Sequence, residues 1–200
     1  APSVPKVQAV LRKFGFVRVG AWEGGEVFAG RAERWTQGAG PFPVSADLLI
    51  GGVSDRVSSS MHSYAELRRG SRRRRMRGMG PTSVAEATVP DREILIGLKL
   101  EVGRSVDLRD IAILAGDPVD VGRLGSFLRR VPVQVLEEHT KKLLSVLDTT
   151  GFQDSLKGVY MLDDRAFKRY AEGTRRLGLS LQHEFSRRRK EDPKARRNRP

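Results

Sequence analysis

Apolar positions along the chain follow a helical period in two regions and a strand-like alternation between them. The first helical stretch runs from Val4 to Phe14 and is followed by Gly15, a residue that favours helix termination. From Pro90 onward the apolar period is helical almost to the end, with positions that would line four or five helices. The second half of the chain is therefore predicted to be a helical bundle.

Strand-like segments lie between these two regions. Three of them are separated by glycine-rich turns and predict an antiparallel meander. They are residues 16–20, 26–35 and 42–50. A Ser-rich loop at 54–60, a short helix at 64–69 and two further strands at 72–79 and 84–89 follow. The predicted fold class is α+β, with an N-terminal mixed or antiparallel sheet, helices beside it and a C-terminal helical bundle.

The same pattern predicts three parts along the chain. Residues 1–89 are expected to form an α/β domain and residues 90–186 a helical domain. Residues 187–200 carry many like charges and few apolar side chains, so they are expected to be a basic flexible tail.

The net charge of +13 has its source in two segments. Seven arginines and no acidic residue lie between Arg68 and Arg77, and eight basic residues face two acidic ones from Arg187 to Pro200. An exposed strand of alternating arginines could contact phosphate groups, whereas a merely solvated surface is the alternative. The predicted nucleic-acid-binding residues are Arg72, Arg73, Arg74, Arg75 and Arg77.

Composition indicates where in the cell the protein is located and excludes several kinds of chemical site. The chain has no cysteine, which excludes disulfides, a thiolate nucleophile and cysteine-ligated metal. No apolar stretch approaches the roughly 20 residues of a membrane span, and the start of the chain does not read as a secretory signal. A cytoplasmic protein without a membrane partner is predicted.

Two positions are candidates for metal-assisted chemistry. Asp47 stands directly before the apolar run Leu48-Leu49-Ile50, where a carboxylate ligand for Mg²⁺ could lie at the edge of a buried strand. A structural aspartate in a turn is the alternative. Lys99 lies in an otherwise apolar helix, so its ammonium group is predicted at the edge of the core.

Two further aspartates follow the lysine. Asp107 and Asp110 are three residues apart and would share one face at the start of the next helix. A helix cap combined with a salt bridge to Lys99 or Arg104 is the structural alternative, and spacing alone favours it.

A family resemblance adds to this interpretation. The residues that carry it are, in order, Asp47-Leu48-Leu49, Leu98-Lys99-Leu100, Arg104, Asp107-Leu108 and Asp110-Ile111. This order resembles a segment shared by nucleotidyltransferase-like proteins of the abortive-infection toxin type and their small archaeal and bacterial relatives. The resemblance implies that Lys99 contacts nucleotide phosphates and that Asp47 is a metal-binding carboxylate. Asp107, Asp110 and Arg104 would orient or support the site, and Mg²⁺ and a nucleoside triphosphate would be the cofactors.

One characteristic element of that family is missing from residues 4–128, over which the resemblance extends. It consists of a glycine pair followed by two aspartates separated by one residue on a strand. Gly24-Gly25 and Gly51-Gly52 lack these carboxylates. The catalytic front end is therefore expected to be cut off, and the chain alone to be catalytically incomplete. Metal-dependent nucleotidyl transfer stays open if the carboxylates are supplied upstream of Ala1.

Three functional hypotheses remain from the sequence. The first is a nucleotidyltransferase-like protein of the toxin–antitoxin type that binds nucleotide or a structured RNA such as tRNA. The second is a non-catalytic basic module that binds nucleic acid through the arginines of 68–77. In the third, the helical half forms a homodimer or an interface with a cognate toxin–antitoxin partner.

Overall fold

The structure is a computed structural model that describes residues 3–23, 30–38, 43–55, 58, 60–77 and 84–191. Over these ranges the protein combines helices with small antiparallel sheets, which confirms the α+β class. The strands are β1 (Val17–Glu23), β2 (Arg31–Gln37), β3 (Val44–Ile50), β4 (Gly52–Ser54), β5 (Met61–Ser63), β6 (Ser71–Arg77) and β7 (Val84–Pro90). The helices are α1 (Val4–Lys13), α2 (Tyr64–Arg69), α3 (Arg92–Val102), α4 (Ser105–Leu114), α5 (Val121–Phe127), α6 (Val133–Val146), α7 (Thr150–Tyr160) and α8 (Asp164–Glu191).

The chain divides into two compact units. The N-terminal unit contains Ala1–Ser54 and Met61–Arg69, and the helical unit contains Asp55–Ser60 and Gly70–Pro200. The hairpin formed by β6 and β7 thus belongs with the helices, whereas the sequence pattern groups it with residues 1–89. Hydrophobic periodicity identifies elements but does not show which neighbours each element packs against.

The N-terminal unit is built on the predicted meander. β2 lies between β1 and β3 and pairs antiparallel with both, with one register shift between Arg18 and Gly20. Trp35 of β2 is buried, and the guanidinium of Arg12 lies 5.4 Å from the centre of its ring. This contact ties α1 to the sheet. The predictions of α1 and of three consecutive antiparallel strands are confirmed.

Two short strands were not predicted from the sequence. β4 and β5 pair with each other and enclose the predicted Ser-rich loop. Each has only three residues, too few for an alternating pattern to stand out. The parts of predicted strands at 26–29, 42 and 78–79 lie outside the described residues.

The core of the helical unit is formed by apolar side chains from α3, α4, α5, α6 and α8. Its fully buried members include Ile96, Leu100, Leu108, Ile111, Leu124, Leu136, Leu143, Leu181 and Phe185. Their spacing along each helix follows the helical period read from the sequence. α3 ends at Val102 and is capped by Gly103, whose φ of 64° is the left-handed conformation that glycine adopts without strain.

Two helices differ from the sequence prediction. α7 was not predicted, and its two glycines lower the helix propensity of this stretch. α8 continues through Glu191, although the flexible tail was predicted to begin at Arg187. Arg188 donates hydrogen bonds to the carbonyl groups of Leu128, Arg129 and Val131, at 3.2, 3.0 and 3.3 Å, and this tertiary contact anchors the last turns. The rest of the predicted tail, 192–200, lies outside the described residues.

Within the described part of the chain, no helix combines the length and the apolar character needed to cross a membrane.

Candidate functional site

The predicted arginine strand is one half of a regular hairpin. β6 and β7 pair antiparallel from Ser71 opposite Pro90 to Arg77 opposite Val84, without a register shift. Side chains of a regular strand alternate between its two faces, so the arginines of β6 are divided between the two faces of the hairpin. We call this two-stranded element the arginine ribbon.

One face of the arginine ribbon is open to solvent from the pair of Arg73 and Thr88 to the pair of Arg77 and Val84. It carries Arg73, Arg75 and Arg77, and every side chain opposite them on β7 is exposed as well. The other face includes the half-buried Ala87 and Val89. We call the first face the outward face; its three arginines are exposed to solvent.

Two arginines of the ribbon already have carboxylate partners. The Nε of Arg72 lies 3.0 Å from Oδ1 of Asp91, and Arg73 forms an ion pair with Glu86. The Arg73 pair is exposed on both sides, so water and salt screen it strongly. The positive charges of Arg72 and Arg73 are therefore partly neutralised by these carboxylates.

The other arginines of the ribbon are Arg74, Arg75 and Arg77. All three are exposed, and none of them forms an ion pair or a side-chain hydrogen bond with the part of the chain that the structure describes. Since a guanidinium group stays protonated throughout the physiological pH range, these side chains present positive charge that an anion can neutralise.

Asp91 anchors the base of the ribbon to the helices. Its side chain is only 7 % exposed and accepts from Arg123 of α5 at 2.5 Å, besides pairing with Arg72. Its backbone N–H donates to the carbonyl of Gly70 at 2.7 Å. An isolated two-stranded hairpin is marginally stable in water. These contacts explain how the ribbon keeps its position. From the sequence, Asp91 was predicted only to begin a helix.

The structure brings together four of the residues predicted for nucleotide chemistry. The Nζ of Lys99 on α3 lies 3.4 Å from Oδ1 of Asp107 and forms a second ion pair with Asp110, both on α4. Arg104 pairs with Asp107 at 2.7 Å. Asp107 is nearly buried, whereas Lys99 keeps about a third of its side chain exposed, 30 %. This arrangement corresponds to the salt bridge that spacing alone favoured.

Tyr160 of α7 is a further member of this cluster that the sequence did not indicate. Its hydroxyl donates to Asp110, and burial together with this hydrogen bond and the charge of Asp110 raises the pKa of Tyr160 to about 12. Burial alone would raise the pKa of Asp110, but the hydrogen bonds from Lys99 and Tyr160, together with the positive charges of Lys99 and Arg109, outweigh it and lower that pKa. Because α7 was not predicted, no sequence signal pointed to Tyr160.

Asp47 lies in the middle of β3, not at the end of a strand. Its carboxylate accepts two hydrogen bonds from Arg34 on β2, at 2.8 and 2.9 Å, and these bonds lower the pKa of Asp47. About half of its side chain, 48 %, is exposed. Asp47 belongs to the N-terminal unit and Lys99 to the helical unit. A pocket shared by the two residues stays a prediction.

No cluster of three or more histidine, aspartate or glutamate side chains is arranged to hold a metal ion among the described residues. The assignment of Asp47 as a metal ligand and of Mg²⁺ and nucleotide as cofactors therefore remains a prediction.

Comparisons with known proteins found no matching family model, no similar curated protein and no similar solved structure. The resemblance to nucleotidyltransferase-like proteins accordingly rests on the order of residues from Asp47 to Ile111 alone.

Proposed function

We propose that this protein binds nucleic acid through the outward face of the arginine ribbon. The observation that carries the proposal is the row of exposed arginines on this face, of which Arg75 and Arg77 lack a carboxylate partner in the described part of the chain. Arginine presents a planar fork of donors that matches phosphate oxygens, and clustered arginines on one face are typical of polyanion contacts. Binding of this kind requires no catalytic group.

A binding experiment with one double variant tests the proposal. In Arg75→Ala/Arg77→Ala, two side chains that no described residue engages are removed, so the fold should be unaffected. Each lost charge-assisted contact is worth about 1.5 kcal/mol or more, and we expect affinity for labelled tRNA and DNA to fall at least roughly tenfold. Fluorescence anisotropy at low salt measures this change.

The matched control is Arg165→Ala/Lys168→Ala on α8. Both side chains are exposed, and the charge change is the same as in the ribbon variant. Affinity for either nucleic acid should stay close to the wild-type value in this control. An equal loss in both variants would attribute binding to net charge alone and would contradict a specific role of the ribbon.

We propose nucleotide binding by a nucleotidyltransferase-like site as the second candidate function. Two observations favour it. On β3, Asp47 is followed directly by the apolar residues 48–50. Lys99 forms ion pairs with both Asp107 and Asp110. Mg²⁺ and a nucleoside triphosphate would be the ligands. A phosphate group would have to compete with two carboxylates for the charge of Lys99, so the cluster supports this candidate less than the ribbon supports nucleic-acid binding.

Isothermal titration with ATP and Mg²⁺ separates the two candidates. If the protein binds nucleotide, the wild type should release heat on titration and Lys99→Met should abolish this heat. Lys157→Met is the control, since Lys157 also forms an ion pair, with Asp164, but lies outside the cluster. This control should retain the heat of the wild type. No heat release from the wild-type protein would contradict the second candidate and leave the first intact.

A further inference from the structure

The composition of the arginine ribbon favours contact with phosphate groups over stacking on bases. The sequence from residue 71 to residue 90, which contains β6 and β7, has no Phe, Tyr, Trp or His. Proteins that hold single-stranded nucleic acid use aromatic side chains on which unpaired bases stack. This hairpin has no aromatic stacking platform, so single-stranded ligands would gain little beyond charge neutralisation.

A two-stranded ribbon of this kind is narrow enough to enter the major groove of B-form DNA. Two paired strands lie about 4.8 Å apart, and alternate side chains on one strand about 7 Å apart. Arg73, Arg75 and Arg77 therefore form a row about 14 Å long on the outward face. The major groove of B-form DNA is about 12 Å wide and admits a two-stranded β-ribbon.

We propose that the ligand of the arginine ribbon is double-stranded B-form DNA, held with the outward face in the major groove. This proposal rests on the proposed nucleic-acid-binding function and names its ligand class. Arg75 and Arg77 donate to phosphate oxygens along the groove wall, where their forked donors form two parallel hydrogen bonds.

Double-stranded RNA fits the ribbon less well. The A-form major groove is deep and narrow, so protein side chains do not enter it as they enter the B-form groove. The same row of arginines would then meet only the outer phosphates. The protein should therefore prefer a DNA duplex to an RNA duplex of the same sequence.

The test compares a labelled DNA duplex, the matching RNA duplex and one DNA strand by fluorescence anisotropy with the full protein at one salt concentration. We expect the DNA duplex to bind at least roughly tenfold more tightly than the other two, in line with the usual cost of losing one or two charge-assisted contacts. Arg75→Ala/Arg77→Ala should reduce this preference, while Arg165→Ala/Lys168→Ala retains it.

Competition locates the groove. A ligand of the major groove, methyl green, should displace the protein from the DNA duplex, whereas a ligand of the minor groove, netropsin, should not. Displacement by netropsin alone would overturn the placement in the major groove. Equal affinity for the RNA duplex or the single strand would overturn the assignment of duplex DNA as the ligand, and either result would leave nucleic-acid binding intact. Absence of binding to all three nucleic acids would refute the proposed function itself.

Discussion

Glu33 is a fully buried carboxylate in the N-terminal unit, and its surroundings explain why it stays charged there. Both of its oxygens accept from Gln8 at 2.9 Å, and one accepts from the ring nitrogen of the buried Trp35 at 3.1 Å. Arg31 lies 3.0 Å away and Arg18 3.5 Å. Burial alone would raise the pKa of Glu33, but these hydrogen bonds and charges hold it below its ordinary value.

The stability of the protein should decrease in acid partly because of Glu33. Its folded-state pKa lies below the unfolded value of 4.5, so its contribution is complete above that pH and is lost as the pH falls through the folded-state pKa. Glu33→Gln should lower the free energy of unfolding by roughly 1–3 kcal/mol at neutral pH and weaken the acid dependence. Urea denaturation across the acid range measures both effects.

An exposed glutamate on the same sheet provides the control. Glu23 lies on β1 with its side chain in solvent, and Glu23→Gln should retain the wild-type stability and acid dependence. If the Glu33 variant matched this control, the buried carboxylate would have no special role in stability.

Tyr160 should titrate separately from an ordinary tyrosine. Its folded-state pKa is raised to about 12, so its stabilising contribution is present below the ordinary value of 10.0 and is lost as the pH rises through about 12. An ultraviolet absorbance titration of the folded protein should show a phenolate step near the higher pH, and Tyr160→Phe should remove that step. A wild-type protein whose three tyrosines all ionise near pH 10 would contradict the hydrogen bond to Asp110.

At the scale of single elements, the packing of α8 depends on one glycine. A Cβ atom at Gly173 would lie 2.1 Å from the carbonyl oxygen of Ala115, just beyond the end of α4. That oxygen is a backbone atom and cannot rotate away. α8 and the end of α4 therefore approach each other more closely than any larger residue at this position allows.

Replacing Gly173 and Gly158 by alanine should have opposite effects. Gly173→Ala should lower the free energy of unfolding by roughly 1–3 kcal/mol, because overpacking outweighs the gain in helix propensity. A Cβ at Gly158, in α7, would meet nothing within 4 Å, so Gly158→Ala should raise stability by about 0.5–1 kcal/mol. Thermal and urea unfolding distinguish the two, and equal effects would contradict the close approach.

The elements show where the sequence pattern is informative. α1, the three-stranded meander, β7 and the core helices α3 to α6 follow from apolar spacing, because apolar residues recur at the period of each element. β6 has a single apolar residue, Met76, and was predicted from its run of arginines. β4 and β5 are too short for such a pattern. The last turns of α8 consist of polar residues, so the helix there depends on the contacts of Arg188 and not on periodicity.

At the scale of the whole molecule, the charge of +13 makes any nucleic-acid binding dependent on salt. Each phosphate neutralised on duplex DNA contributes about −0.9 to the slope of the logarithm of the binding constant against the logarithm of salt concentration. Arg75→Ala/Arg77→Ala should therefore reduce the magnitude of this slope by about 2. Binding isotherms over a series of salt concentrations measure it, and an unchanged slope would show that these arginines do not contact phosphate.

The candidate sites were only partly predictable. The five arginines of β6, and the cluster of Lys99 with Asp107 and Asp110, follow from residue types and their spacing. The anchoring role of Asp91 and the bond from Tyr160 join residues on different elements, which spacing along the chain does not show. The homodimer, the toxin–antitoxin partner and the cytoplasmic location stay predictions.

The sequence by itself determined the α+β class, most helices and strands, and the exposed row of arginines, because polarity at fixed spacing decides which face of an element meets solvent. Tertiary structure decided which arginines are already neutralised, which carboxylates are buried, and which unit the arginine ribbon joins. Ion pairs and burial depend on distances between elements, and these distances are set by packing across the whole unit.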